Sequence, residues 1–176
     1  MKSVIFTILV ACTLASVAIC AEEPQRIGVY DSRAIAIAWA GTEPFITEMK
    51  DLRTRHQAAT EAGDTELAEK LAAVAVARQE QMHYQGFSTA PVDDILARFD
   101  EPVAAALETA GVAIIISKWD EEGLDRYPDA ERVDVTMDLV LAMNPNERQL
   151  GFVKQMGDKP PIPLDELKKQ LAEGHE

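Results

Sequence analysis

The three histidines are the side chains best suited to hold a transition metal or move a proton near neutral pH. His56, His83 and His175 lie far apart, however, and none stands at the three-to-five-residue spacing that puts two imidazoles on one ion. His56 reads instead as a seam residue between helices. The acidic stretch DEEGLDRYPDAE, residues 120–131, has the charge for calcium, but its glycine does not fall at the sixth place of a ligand loop, so it reads as a solvated connection. Asp31 and Asp120 become an acid and base pair only if folding brings them together. No serine or cysteine stands in a nucleophile motif, and no glycine-rich phosphate loop occurs. The reading is a non-enzymatic protein with no catalytic residue, cofactor or metal. Trp39 and Trp119 read as packing residues.

Residues 1–20 carry the marks of a secretory signal peptide. Lys2 supplies the basic start, an apolar run continues to Ile19, and Ala18-Ile19-Cys20 offers small residues before Ala21. The run is short for a membrane anchor. Cys12 closes the stretch LVAC, which makes a lipoprotein the competing reading. Cleavage after Cys20 leaves a mature chain without cysteine, hence without disulfide or thiol chemistry, and moves the formal charge from −13 to −14. Such an acidic balance disfavours nucleic acid and strong direct binding to anionic lipid.

Residues 27–41, IGVYDSRAIAIAWAG, alternate like a strand but carry helix-favouring alanines. The reading is a strand over Ile27 to Tyr30, a cap at Asp31-Ser32, and a short helix to Ala40. From Glu43, Phe45, Met49, Leu52, His56 and Ala59 recur at coiled-coil spacing. After a break at Gly63-Asp64, Leu67, Leu71 and Val74 continue the seam, extended by Arg78 and by Gln81 or Met82. An antiparallel helical hairpin follows. Gly86 loosens its second helix, Ser88 or Thr89 caps the next, and Pro102 bends or restarts that helix before Gly111. VAIIIS, residues 112–117, is too continuous for an exposed strand and needs cover on both faces. RVDVT is a third short strand and MDLVLAM a helix. Residues 145–176 form an extension with the Pro-rich linker KPPIP and a final amphipathic segment.

The secretory start, RIGVYDSRAIA, AGVAIIISKWD and VDVTMDLVLAMN, taken in that order, resemble the Skp (OmpH-like) family of periplasmic chaperones over residues 26–144. The resemblance implies an α+β fold: a small β body of short strands completed by oligomerisation into a homotrimer, with a projecting antiparallel α-helical hairpin. It divides the chain into signal peptide 1–20, family domain 21–144 with the hairpin and following helix at 43–110, and extension 145–176. It also implies a periplasmic, ATP-independent holdase for unfolded outer-membrane proteins. Phe45, Met49, Leu52, Leu67, Leu71, Val74 and Met82 are the candidate client contacts. Ile27, Val29, Ile114, Ile115, Ile116, Val133 and Val135 are the candidate oligomer contacts.

The chain departs from that family in its arms. They are short, and residues 43–110 hold 6 basic residues against 13 acidic ones, so a basic grip on lipopolysaccharide is not carried over. The alternative reading is a non-catalytic oligomeric adaptor of the cell envelope that displays its hairpins to one specific partner.

Overall fold

A computed structural model describes residues 25–173. The expected signal peptide, residues 1–20 with Cys12 and Cys20, and His175 lie outside the described residues. Residues 27–41 settle into strand and then helix. β1, Arg26–Tyr30, runs into α1, Ser32–Trp39, with Asp31 as N-cap accepting from the Arg33 backbone N–H. α2 (Glu43–Glu61) and α3 (Thr65–Phe87) follow, joined by residues 62–64, where Gly63 takes φ 71 and Asp64 caps α3 through the Leu67 N–H. Next come α4 (Asp93–Leu96), a 3-10 turn (Ala97–Phe99) and α5 (Asp100–Ala110), which Gly111 ends at φ 67. β2 (Ile115–Ser117), α6 (Glu121–Asp125), β3 (Glu131–Asp134), α7 (Thr136–Ala142), α8 (Glu147–Met156) and α9 (Leu164–Glu173) complete the order.

The three strands form a parallel sheet in the order β2-β1-β3, so the α+β expectation of a small β body stands with a parallel sheet at its centre. A parallel sheet needs cover on both faces, and this chain supplies it. One face packs on a core of Tyr30, Ile35, Trp39, Ile95, Val135 and Leu139, drawn from the helices as well as the sheet. The opposite face packs Ile27 and Ile116 against Leu124, with Val29, Ile114 and Tyr127 beside them. Gly28 sits at the centre, paired with Ile115 on one side and Val133 on the other.

This arrangement corrects two expectations. The stretch 120–131 is not simply a solvated connection: Asp120 caps α6 through the Gly123 N–H at 2.9 Å, and α6 brings Leu124 onto the sheet. Ile27 and Ile116 are thereby buried within the single chain, as Val135 is in the main core, and these three offer no surface to another subunit, whereas Val29, Ile114, Ile115 and Val133 stay half-buried. A third difference lies at the joint after α3. Ser88 and Thr89 do not cap, and Val92 is the N-cap of α4; the Gln85 amide holds the joint by donating to Pro91 O and Asp94 Oδ1.

α2 and α3 pack on each other and α3 also packs on α1. Their seam is rotated from the expected one. On α3 the covered positions are Ala68, Leu71, Ala75, Arg78 and Met82, while Leu67 and Val74 face outward. At its body end Arg78 pairs with Glu48, and Arg98 reaches the same carboxylate at 3.5 Å. The C-terminal extension is not a free tail: Ile162 N donates to Phe87 O at 2.9 Å and Leu167 is buried as α9 packs on α3.

Candidate functional site

Polar side chains converge at the carboxyl ends of β1 and β2, the edge where open parallel sheets place their ligand crevices. Asp31 follows β1 directly, and Lys118 and Trp119 follow β2. Asp31 is 2% exposed. Its Oδ1 accepts from the Arg33 backbone N–H, Arg33 Nε and Trp119 Nε1 at 3.0–3.1 Å; its Oδ2 accepts from Arg33 Nη2 and Lys118 Nζ, both at 2.7 Å. Burial pushes this carboxyl up, but the hydrogen bonds from Arg33, Lys118 and Trp119, with the Arg33 charge, outweigh it and hold Asp31 below the ordinary carboxylate range.

Five donors fill the roughly four acceptor positions of a carboxylate, so Asp31 has no free lone pair with which to take a substrate proton. Asp120 is exposed and uses one oxygen, Oδ1, to cap α6. Each carboxylate thus has a structural partner of its own, Asp31 in its ion cluster and Asp120 at the start of α6, and no hydrogen bond joins the two among the described residues. A cavity of about 580 Å³ opens beside the cluster, walled by Tyr30, Ser32, Ile115, Trp119, Asp120 and Tyr127. Burial first, then the nearby Asp93 and Asp120 charges, push the Tyr30 hydroxyl up to about 12. The Ser32 Oγ is buried without a hydrogen-bond partner. Its neighbour Asp31 already occupies the anion position at the start of α1.

A different feature stands out on α3. Leu71 to Ala77, LAAVAVA, is seven residues with no polar side chain, so it is apolar around the whole helix. Such a helix is ordinarily buried on all sides. Here only Leu71 is buried and Ala75 half-covered, leaving Ala72, Ala73, Val74, Val76 and Ala77 exposed. Val74 is 55% exposed and Val76 49%, with Leu67 at 40% one turn before the band and Ile46 at 42% on α2.

The expected client contacts therefore divide. Leu67 and Val74 are open to solvent. Leu71 is buried, and Phe45 and Met82 pack against the main core, Phe45 edge-on to Trp39 at 5.5 Å. Met49 and Leu52 are half-buried. Spacing does not pick out Val76, Ile46 and the small residues between, because seam-counting looks for a stripe and this band has none. Its signal is the uninterrupted apolar run itself.

Among the described residues, no three His, Cys, Asp or Glu side chains gather as metal ligands, and no helix is long and apolar enough to cross a membrane. His56 is half-buried in α2, and His83 lies against Phe87 at 5.6 Å. No protein-family model matches this chain, and no curated protein or solved structure matches it.

Proposed function

We propose that the chain is an exported, non-catalytic protein that holds unfolded polypeptide without ATP, in the manner of the Skp-like chaperones its sequence resembles. The observation that carries this reading is the exposed apolar band Leu71–Ala77 on α3. Fully burying one valine contributes about 1.5–3 kcal/mol, so a few such side chains give weak, reversible contacts. An oligomer, with a trimer as the expected form, multiplies them through effective concentration. In this reading α2 and α3 are an antiparallel hairpin presented by the β body in the periplasm, and unfolded outer-membrane proteins are the clients. Val29, Ile114, Ile115 and Val133 are the strand residues left for subunit contact.

The test is dilution of several urea-unfolded outer-membrane barrels into the protein without nucleotide. Delayed aggregation is expected, largely insensitive to moderate salt because the contacts are apolar and the arm is acidic. Replacing Val74 and Val76 with Ser should remove the effect.

The acidic arms favour a second reading, an adaptor for one folded partner. Failure to delay aggregation of any barrel, with capture of a single folded envelope protein that the Val74/Val76 variant no longer binds, would establish the adaptor and end the holdase proposal.

A further inference from the structure

α1, α3, α8 and the segment 159–162 line an open cavity of about 600 Å³ that is separate from the α3 band. Its size lies within the roughly 300–1,000 Å³ of small-molecule sites, which are likewise mostly apolar with a few placed polar groups. Ala36, Ile37, Met82, Phe87, Phe152 and Met156 make the apolar wall. Gly86 is buried in α3 and lines the same space, yet a Cβ built there meets nothing within 4 Å. The helix thus carries its poorest non-proline residue where a larger one would project into open volume.

The charge at this cavity runs against that of the molecule. The whole chain has a net charge of −13, but the charged residues lining the cavity are Arg33 and Lys159, and no carboxylate lines it. Arg33 is neutralised by Asp31. Lys159 has no acidic partner among the described residues, and neither does Arg148, whose guanidinium lies 5.5 Å over the Phe152 ring at the wall. Gln149 also lines the cavity, and its Oε1 is buried without a donor.

We propose that this cavity binds a single-chain anionic amphiphile, a fatty-acid carboxylate, with its tail along Ile37, Gly86 and Phe152 and its head at Lys159. An acyl chain suits the wall better than a peptide, because a peptide brings backbone N–H and C=O groups that few polar partners here would satisfy. The bulk negative charge repels an anionic membrane surface, but a monomer that reaches Lys159 meets a cation first.

The test is calorimetric titration of the full chain with dodecanoate below its micelle concentration, beside dodecanol and dodecyltrimethylammonium. One saturable site per chain is expected for dodecanoate, with the neutral and cationic chains at least about tenfold weaker. Lys159→Glu, on an exposed side chain, should weaken dodecanoate about tenfold or more with unchanged circular dichroism and melting. Gly86→Met should fill the space and abolish binding. Absence of saturable binding, equal affinity for dodecanol, or an unaltered Lys159→Glu variant would overturn the proposal. So would a Gly86→Met variant that loses oligomer mass in sedimentation, because the cavity would then be an interface between copies.

Discussion

Trp119 Nε1 donates to Asp31 Oδ1 at 3.1 Å across 88 residues of sequence. The bond fastens the exit of β2 to the exit of β1. Both cations that discharge on Asp31 also lie over the Trp119 ring, Arg33 Cζ at 4.9 Å and Lys118 Nζ at 4.8 Å from its centroid. One carboxylate and one indole thus hold two loops and two positive charges in a single unit, in which Asp31 and Arg33 are almost fully covered and Lys118 and Trp119 half-buried.

Asp31→Asn keeps the shape but leaves the Arg33 guanidinium buried without a counter-charge. The expected loss in unfolding free energy is about 3–5 kcal/mol, read by urea denaturation followed through tryptophan fluorescence. A loss below about 1 kcal/mol would show that the charge pairing contributes little.

The same carboxylate sets an acid limit. Its folded value lies below the unfolded one of about 3.9. The stability it contributes is therefore complete above that unfolded value and is lost as pH falls through the lower, folded one. Denaturation curves between about pH 5 and pH 2 should steepen in their loss for the wild type, and the Asp31→Asn variant should lack this component.

Tyr30 sets the opposite limit. Its hydroxyl, pushed up to about 12 against an ordinary 10.0, stays protonated in the folded protein while the unfolded chain begins to ionise. The resulting contribution to stability is present below pH 10 and lost as pH rises towards 12. Ultraviolet titration should show late ionisation that disappears in Tyr30→Phe.

Gly28 carries the closest packing in the sheet. A Cβ there would lie 2.9 Å from Ile115 Cγ2, 3.0 Å from Val135 Cγ2 and 3.2 Å from Val112 Cγ2, all stiff β-branched side chains. Gly28→Ala should cost about 1–3 kcal/mol, measured as a lower denaturation midpoint at unchanged slope.

Substitutions at Leu71 and Val74 test folding and the proposed binding separately on one helix. Leu71→Ala should destabilise by about 2–5 kcal/mol because the Leu71 side chain is buried. Val74→Ser should change stability by less than about 1 kcal/mol, Val74 being 55% exposed, yet weaken capture of unfolded protein. Equal effects of both substitutions on capture at matched folded fraction would remove the band from the binding surface.

Local chemistry makes several boundaries legible in the sequence itself. Asp31 and Asp64 announce helix starts, Gly63 and Gly111 announce helix ends, and the β-branched run around Ile115 requires a strand covered on two faces. Each depends on a few neighbouring residues, through a cap, a left-handed turn or a periodicity, and such constraints act within one or two turns of chain. Which partners meet across long separations is beyond that reach. The coiled-coil spacing chooses Leu67 and Val74 for the seam, but contact with α1 as well as α2 turns α3 so that Ala68 and Ala75 are covered instead. Part of the cover for β1 and β2 comes from Leu124 and Tyr127, in a stretch whose charge reads as solvent-facing, because a short helix capped by Asp120 turns its leucine onto that face and leaves Val29 and Ile114 half-covered. The Asp31 cluster exists only because parallel pairing of β1 with β2 brings residues 31 and 119 to the same sheet edge. Spacing along a chain determines which side chains share a face of one element, and only packing between elements decides which face is buried and which is left for a partner.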